Sequence, residues 1–191
     1  MTKIAVFLTD RFADWECALL MAAARTYYGM DVLTVSTNGQ KVTSAGGLQI
    51  IPDLALDQVS AQKPDAFIMA GGSVWSTDEA PDMDDALKAL AAGKVLIGAI
   101  CDANLALAAT GLINDVPHTA NAPEALSGVG DYDGEKNYVA SPAAIRADGF
   151  VTAPGTAPIS FMREVLIALG RDEKELGFYT GLYANEHQKA A

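Results

Sequence analysis

The chain has 191 residues, half of them hydrophobic and 19% charged, which fits a folded globular chain with a sizeable core rather than a disordered or low-complexity one. Asp plus Glu number 24 against 13 Lys plus Arg, a formal net charge of −11; with no run of Lys or Arg, this argues against nucleic acid or an anionic membrane surface as a partner. Two cysteines, Cys17 and Cys101, are too few for a secreted disulfide scaffold, and the apolar run Met1 to Leu8, ended by Asp10 and Arg11, is too short for a signal-peptide core or a membrane span, so a cytoplasmic protein is expected.

In chain order, Lys3 to Leu8 reads as a buried strand, a short apolar run with β-branched residues. Asp14 is placed to cap a helix from Trp15 to about Tyr28, with Gly29 as its stop. Asp31 to Ser36 is a second strand. Asn38-Gly39 is a hairpin signal, and Lys41 to Ala45 and Leu48 to Ile51 read as short antiparallel strands about Gly46-Gly47. Ala66 to Ala70 is another buried strand, ending in Gly71-Gly72. A helix over Met83 to Ala92 stops at Gly93 and leads to the apolar strand Val95 to Ile100.

A small-residue helix, Ala103 to Ala109, is closed by Gly111. Residues 112–144 read as loops with short elements, and Asp148-Gly149 joins two strands, Ala144–Arg146 and Phe150–Thr152. A long helix runs from about Ile159 to Leu169, with one more short helix after Gly170. The strands at 3–8, 66–70 and 95–100 are almost continuously apolar, hence buried on both faces. The expected fold is therefore α/β, a mostly parallel sheet with helices on both faces, over residues 1–191 as one domain. Function in such a sheet collects at the carboxyl ends of the strands.

Four strand ends stand out: Thr9 to Glu16, Ala70-Gly71-Gly72, Ile100-Cys101-Asp102 and Pro154-Gly155-Thr156. Cys101 follows a buried strand and precedes a helix, and its neighbours two residues away, Ala99 and Ala103, are small. A sharp strand-to-helix turn demands this, and it projects the central side chain outward near a helix N-terminus that favours thiolate. Cys17, among Ala18, Leu19 and Leu20, reads as packing. Glu16 is either an acid complementing the helix dipole or a carboxyl reaching the thiol, in which case burial raises its pKa. The N–H groups of Gly72 and Asp102 are candidate donors to an oxyanion. Trp75 lines a pocket or packs over a loop. His118 is a possible base or a structural residue, and His187 reads as a solvated tail residue. The dispersed Cys and His residues offer no zinc spacing, and no phosphate-binding Gly motif with its Lys is present.

Glu16, Ala70-Gly71-Gly72, Ala99-Ile100-Cys101-Asp102 and Ala153-Pro154-Gly155-Thr156, in this order, resemble the ThiJ/PfpI family of the DJ-1 superfamily over essentially the whole chain. The resemblance implies a flavodoxin-like sandwich similar to class I glutamine amidotransferases. It also implies a homodimer, a small-molecule substrate and no metal or organic cofactor. Cys101 would be the nucleophile and Glu16 its hydrogen-bonding carboxyl, with Gly72 and Asp102 as backbone donors and Gly71, Trp75, His118, Asn121 and Thr156 around them. Activities in the family include cysteine-dependent hydrolysis or hydration, proteolysis and glyoxalase-type chemistry. A stress-protection role through oxidation of Cys101 is the alternative. Many members carry a His where Asn121 falls here, and Asn cannot act as a general base. Asp102 stands where several branches have a small or neutral residue; its carboxylate either opposes the thiolate or acts on substrate.

Overall fold

The computed structural model describes residues 1–185. In chain order they form β1 (Lys3–Phe7), α1 (Asp14–Thr26), β2 (Asp31–Ser36), β3 (Val42–Thr43), β4 (Gln49–Ile50), β5 (Leu54–Ala55), α2 (Val59–Gln62), β6 (Ala66–Met69), α3 (Asp84–Ala92), β7 (Leu96–Ile100), α4 (Ala103–Ala109), α5 (Pro123–Leu126), β8 (Ile145–Ala147), β9 (Phe150–Ala153), α6 (Pro158–Ala168) and α7 (Glu173–Ala184). His187 lies outside the described residues.

Seven strands make one sheet in the order β5-β2-β1-β6-β7-β9-β8. All neighbours are parallel except β8 against β9. Alternate residues of the central strands feed two cores. Ile4, Val6 and Ile68 face α1 and α6 with Phe161 and Leu166, while Ala5, Phe7, Phe67 and Met69 face the α3 and α4 layer with Leu87 and Leu107. This is the mostly parallel sheet with helices on both faces expected from the apolar strands, and the flavodoxin-like sandwich that the resemblance implies. Each fully buried Phe, Leu or Ile is worth about 1.5–3 kcal/mol, so both faces hold the central strand ends rigidly in place. From β1 the chain winds to β2 on one side and later to β6 on the other. The crevice between the carboxyl ends of β1 and β6 is therefore the switch point of the sheet.

Several local expectations are corrected. Asn38-Gly39 does not make a hairpin, because β2 is already flanked by β1 and β5 and has no free edge for β3; Gln40 N–H donates instead to Asn38 Oδ1 at 3.0 Å. The expected antiparallel pair of short strands about Gly46-Gly47 does form, as β3 with β4. Asp14 is the first residue of α1 rather than its cap. Its Oδ2 accepts from Gly46 N–H at 2.8 Å, which ties the β3–β4 hairpin to the helix. The last helix is 12 residues long, capped by Asp172, whose Oδ1 accepts from Glu175 N–H at 2.8 Å. The edge strand β5 carries too few residues to announce itself in the sequence.

Candidate functional site

Cys101 sits where β7 ends, with its N–H still on the ladder, donating to Ala153 O at 2.9 Å. Its φ is +60°, a left-handed conformation that costs an L-residue about 1–2 kcal/mol. That turn lifts the side chain off the sheet, as the small flanking residues predicted. Asn104, fully buried in α4, holds the turn. Its amide donates to both Cys101 O and Ala153 O at 2.9 Å. The sequence reading missed this clamp, although a lone Asn inside the apolar run Ala103 to Ala109 was a usable signal.

Glu16 comes from the first turn of α1. Backbone contacts strap the loop after β1 to the loop after β6, with Ala13 N–H donating to Gly71 O at 2.9 Å and Phe12 bridging Gly72. The Glu16 side chain points inward and is 1% exposed. Its Oε2 accepts from Gly71 N–H at 2.8 Å, and its carboxyl lies beside the Cys101 side chain, both of them against Gly71 and Gly155. Glycine is required around this pair. A Cβ on Gly155 would lie 2.8 Å from Cys101 Sγ and 2.9 Å from Glu16 Oε1, and one on Gly71 would lie 2.7 Å from the backbone oxygen of Ile100.

Asn121 completes the ring. Its Nδ2 is 3.3 Å from Cys101 Sγ and donates to Asp102 Oδ1 at 2.8 Å, while its Oδ1 accepts from Gly155 N–H at 2.9 Å. Asp102 thus turns its carboxylate to the amide; the same oxygen is 3.9 Å from the sulfur, too far for a strong hydrogen bond. Trp15, 58% exposed, donates its indole N–H to Gly155 O at 3.3 Å. No acceptor among the described residues takes the N–H of Gly72 or of Asp102. Gly72 has φ +155°, a backbone that only glycine adopts readily.

Two expected pocket residues are elsewhere. Trp75 is buried, donates its indole N–H to Ala70 O at 2.8 Å and packs on Phe7, because a ring that large fills the core under the 3-10 turn Ser73–Ser76. His118 is fully buried, with Nδ1 2.8 Å from Val116 O and Nε2 2.8 Å from Tyr132 OH, so it supports the 112–144 segment and does not reach the sulfur. Thr156 is exposed in the Gly155 loop.

Burial pushes the Glu16 carboxyl up to about 7, against the pull of its hydrogen bonds to Cys101 and Gly71. Burial also pushes the Cys101 thiol up to about 11; the Asn121 donor lowers it, and the Glu16 and Asp102 charges raise it. The expectation of a low thiol pKa from the helix end is thereby reversed, since α4 has only seven residues and two carboxyls face the sulfur. The two groups share protons as one unit.

A stability consequence follows. Below about 4.5 the Glu16 carboxyl is protonated in folded and unfolded chains alike; between 4.5 and about 7 the unfolded chain loses the proton first, so stability falls as pH rises through this window. The full cost is on the order of 3 kcal/mol at ~1.4 kcal/mol per pKa unit. Thermal melts of Glu16→Gln should therefore match wild type near the bottom of the window and exceed it by several degrees at pH ~8. A constant difference across the window would contradict the burial argument.

No helix among the described residues is long and apolar enough to cross a membrane. Nor do they place three or more His, Cys, Asp or Glu side chains to hold a metal ion.

The chain resembles known proteins over most of its length. A family model described as the DJ-1/PfpI family matches residues 2–168. YoaZ of Bacillus subtilis (strain 168), named an uncharacterized protease, is 35% identical over 173 residues, 86% of this chain and 81% of that protein. DJR-1.2 of Caenorhabditis elegans, named a glutathione-independent glyoxalase, is 30% identical over 148 residues, 76% of this chain and 77% of that protein. The crystal structure of the DJ-1 superfamily protein Atu0886 from Agrobacterium tumefaciens superposes with a TM-score of 0.95 at 40% identity, covering 98% of this chain and 100% of that one. With the match running through the elbow cysteine and every strand that feeds the site, this chain belongs to the DJ-1/PfpI family.

Proposed function

We propose that the chain is a cysteine-dependent enzyme acting on a small electrophilic carbon: an amide, a nitrile- or isonitrile-like compound, or a reactive aldehyde. The observation that carries this is the juxtaposition of the half-buried Cys101 thiol with the buried Glu16 carboxyl, which burial raises to about 7, beside the N–H groups of Gly72 and Asp102, which no acceptor among the described residues takes. In the reacting form the pair holds one proton. Sγ forms a bond to the carbon and the thiol proton passes to Glu16, while the electron pair of the carbon–heteroatom π bond moves to the heteroatom. The heteroatom is then met by the N–H groups of Gly72 and Asp102. Glu16 returns the proton to the leaving or newly charged group, and water releases the sulfur. A pKa near the working pH suits a group that takes and gives the same proton.

The relatives named a protease and a glyoxalase are consistent with attack on carbonyl carbon. Oxidation of Cys101 as the main role is less favoured, because burial and two facing carboxyls hold the thiol protonated, and oxidants react with thiolate. The homodimer is part of the proposal. An apolar groove of about 280 Å³ between α1 and the β3–β4 hairpin, lined by Phe12, Met21 and Leu48 among others, offers a second copy a surface to cover.

The test is a panel of the three substrate classes, assayed with native protein and with protein alkylated stoichiometrically at Cys101. Cys17, 2% exposed, is spared. Turnover of one class that alkylation abolishes supports the reading; turnover that survives alkylation refutes it.

A further inference from the structure

We propose that Asn121 is a catalytic residue of this site, a fixed amide that donates a hydrogen bond to the Cys101 sulfur as negative charge forms on it. The inference rests on the nucleophilic role of Cys101 given above and adds the group that stabilises the anion.

The amide has no freedom to do otherwise. Its Oδ1 takes Gly155 N–H at 2.9 Å, one Nδ2 proton goes to Asp102 Oδ1 at 2.8 Å, and the other is left for the sulfur at 3.3 Å. Flipping the amide would set its oxygen against the Asp102 carboxylate and its NH₂ against the Gly155 N–H, so the hydrogen-bond network itself fixes the orientation. The backbone on the near side is pinned too: Thr119 N–H donates to Thr152 Oγ1 at 2.9 Å, and Tyr138 OH to Ala120 O at 3.2 Å. Trp15 anchors the Gly155 loop from the far side.

The chemistry follows from what an amide lacks. It has no proton to gain or lose near neutral pH, so it donates over the whole range in which the Cys101 and Glu16 pair holds one proton. It also occupies the Asp102 carboxylate, which would otherwise repel a sulfur anion next door. The groups facing the sulfur are then Glu16 from α1, Asp102 and Asn121, with only backbone from the Gly155 loop. His118, three residues before Asn121, is engaged with Val116 and Tyr132 and offers no proton to the site. Proton movement is confined to Glu16, and charge stabilisation falls to Asn121.

The experiment follows Cys101 alkylation by iodoacetamide against pH in wild type, Asn121→Leu and Asn121→His, with thermal melts of each. Asn121 is exposed, so all three should fold. A hydrogen bond to a charged group is worth about 10- to 100-fold; Asn121→Leu should lose about that factor in the plateau rate near pH 8. Asn121→His should recover most of it through ring N–H donation, with a new step in the profile near the ordinary histidine pKa of about 6.5. If Leu and His variants melt like wild type and both stay within twofold of its rate, or both fall equally, the inference is overturned. A wild-type profile with no step near 7 would instead overturn the Glu16 reading, which separates the two failures.

Discussion

Cys101→Ala should fold and lose at least about a thousandfold of turnover on whichever substrate class the native protein accepts. No other thiol can substitute: Cys17 is 2% exposed, and burial, reinforced by the charges of Glu16 and Asp14, pushes it up to about 12. The stability of the variant carries separate information. The position keeps its φ near +60° whatever side chain it bears, because Asn104 and the β7–β9 ladder fix the backbone. Glycine adopts that conformation without the penalty an L-residue meets, so Cys101→Gly should be as inactive as Cys101→Ala but more stable by about 1 kcal/mol. Equal unfolding midpoints for the two would show that the elbow is not strained. Residual turnover within tenfold of wild type in either would remove the sulfur from the chemistry.

Glu16→Gln should lower turnover about 10²- to 10⁴-fold, the usual contribution of a positioned general acid–base. Gln is close to isosteric, and its side-chain oxygen can keep the bond from Gly71 N–H, so the loss would not come from a collapsed site. What disappears is the acceptor for the thiol proton. The Cys101 thiol, raised by burial, must then ionise into bulk water before it can attack. The same substitution is expected to stabilise the protein above pH ~7, by removal of a buried charge. Activity and stability moving in opposite directions is what a group retained for chemistry predicts, and a simultaneous fall in both would identify Glu16 as a structural residue instead.

Much of this arrangement was legible in the sequence because buried strands and glycine turns leave local signatures. The apolar runs marked β1, β6 and β7. Ala99 and Ala103 marked the elbow at Cys101, since bulk at those points collides in a sharp turn. What was not legible depends on contacts between distant segments. Asn38-Gly39 has the chemistry of a hairpin, yet β2 has no free edge once β5, two residues long, pairs beside it. The polar partner of the sulfur comes from a loop in 112–144 whose path is set by the buried His118 and its tyrosines. The resemblance placed Asn121 near the site, but nothing local in the sequence says that it meets Asp102 and Gly155. The thiol pKa was misjudged for the same reason: the helix end is visible in the sequence, but the burial and the two facing carboxyls that outweigh it are not.

The central claim is that Cys101 and Glu16 act as one acid–base unit, and the rate of Cys101 alkylation against pH tests it most directly. In wild type the rate should rise through about 7 as the first proton leaves the pair, run flat while one proton is shared, and rise again toward about 11 as the second leaves. In Glu16→Gln the step near 7 should vanish, leaving a single rise at the thiol's own ionisation. A single step in wild type at the pH of a free thiol, unchanged by Glu16→Gln, would contradict the account.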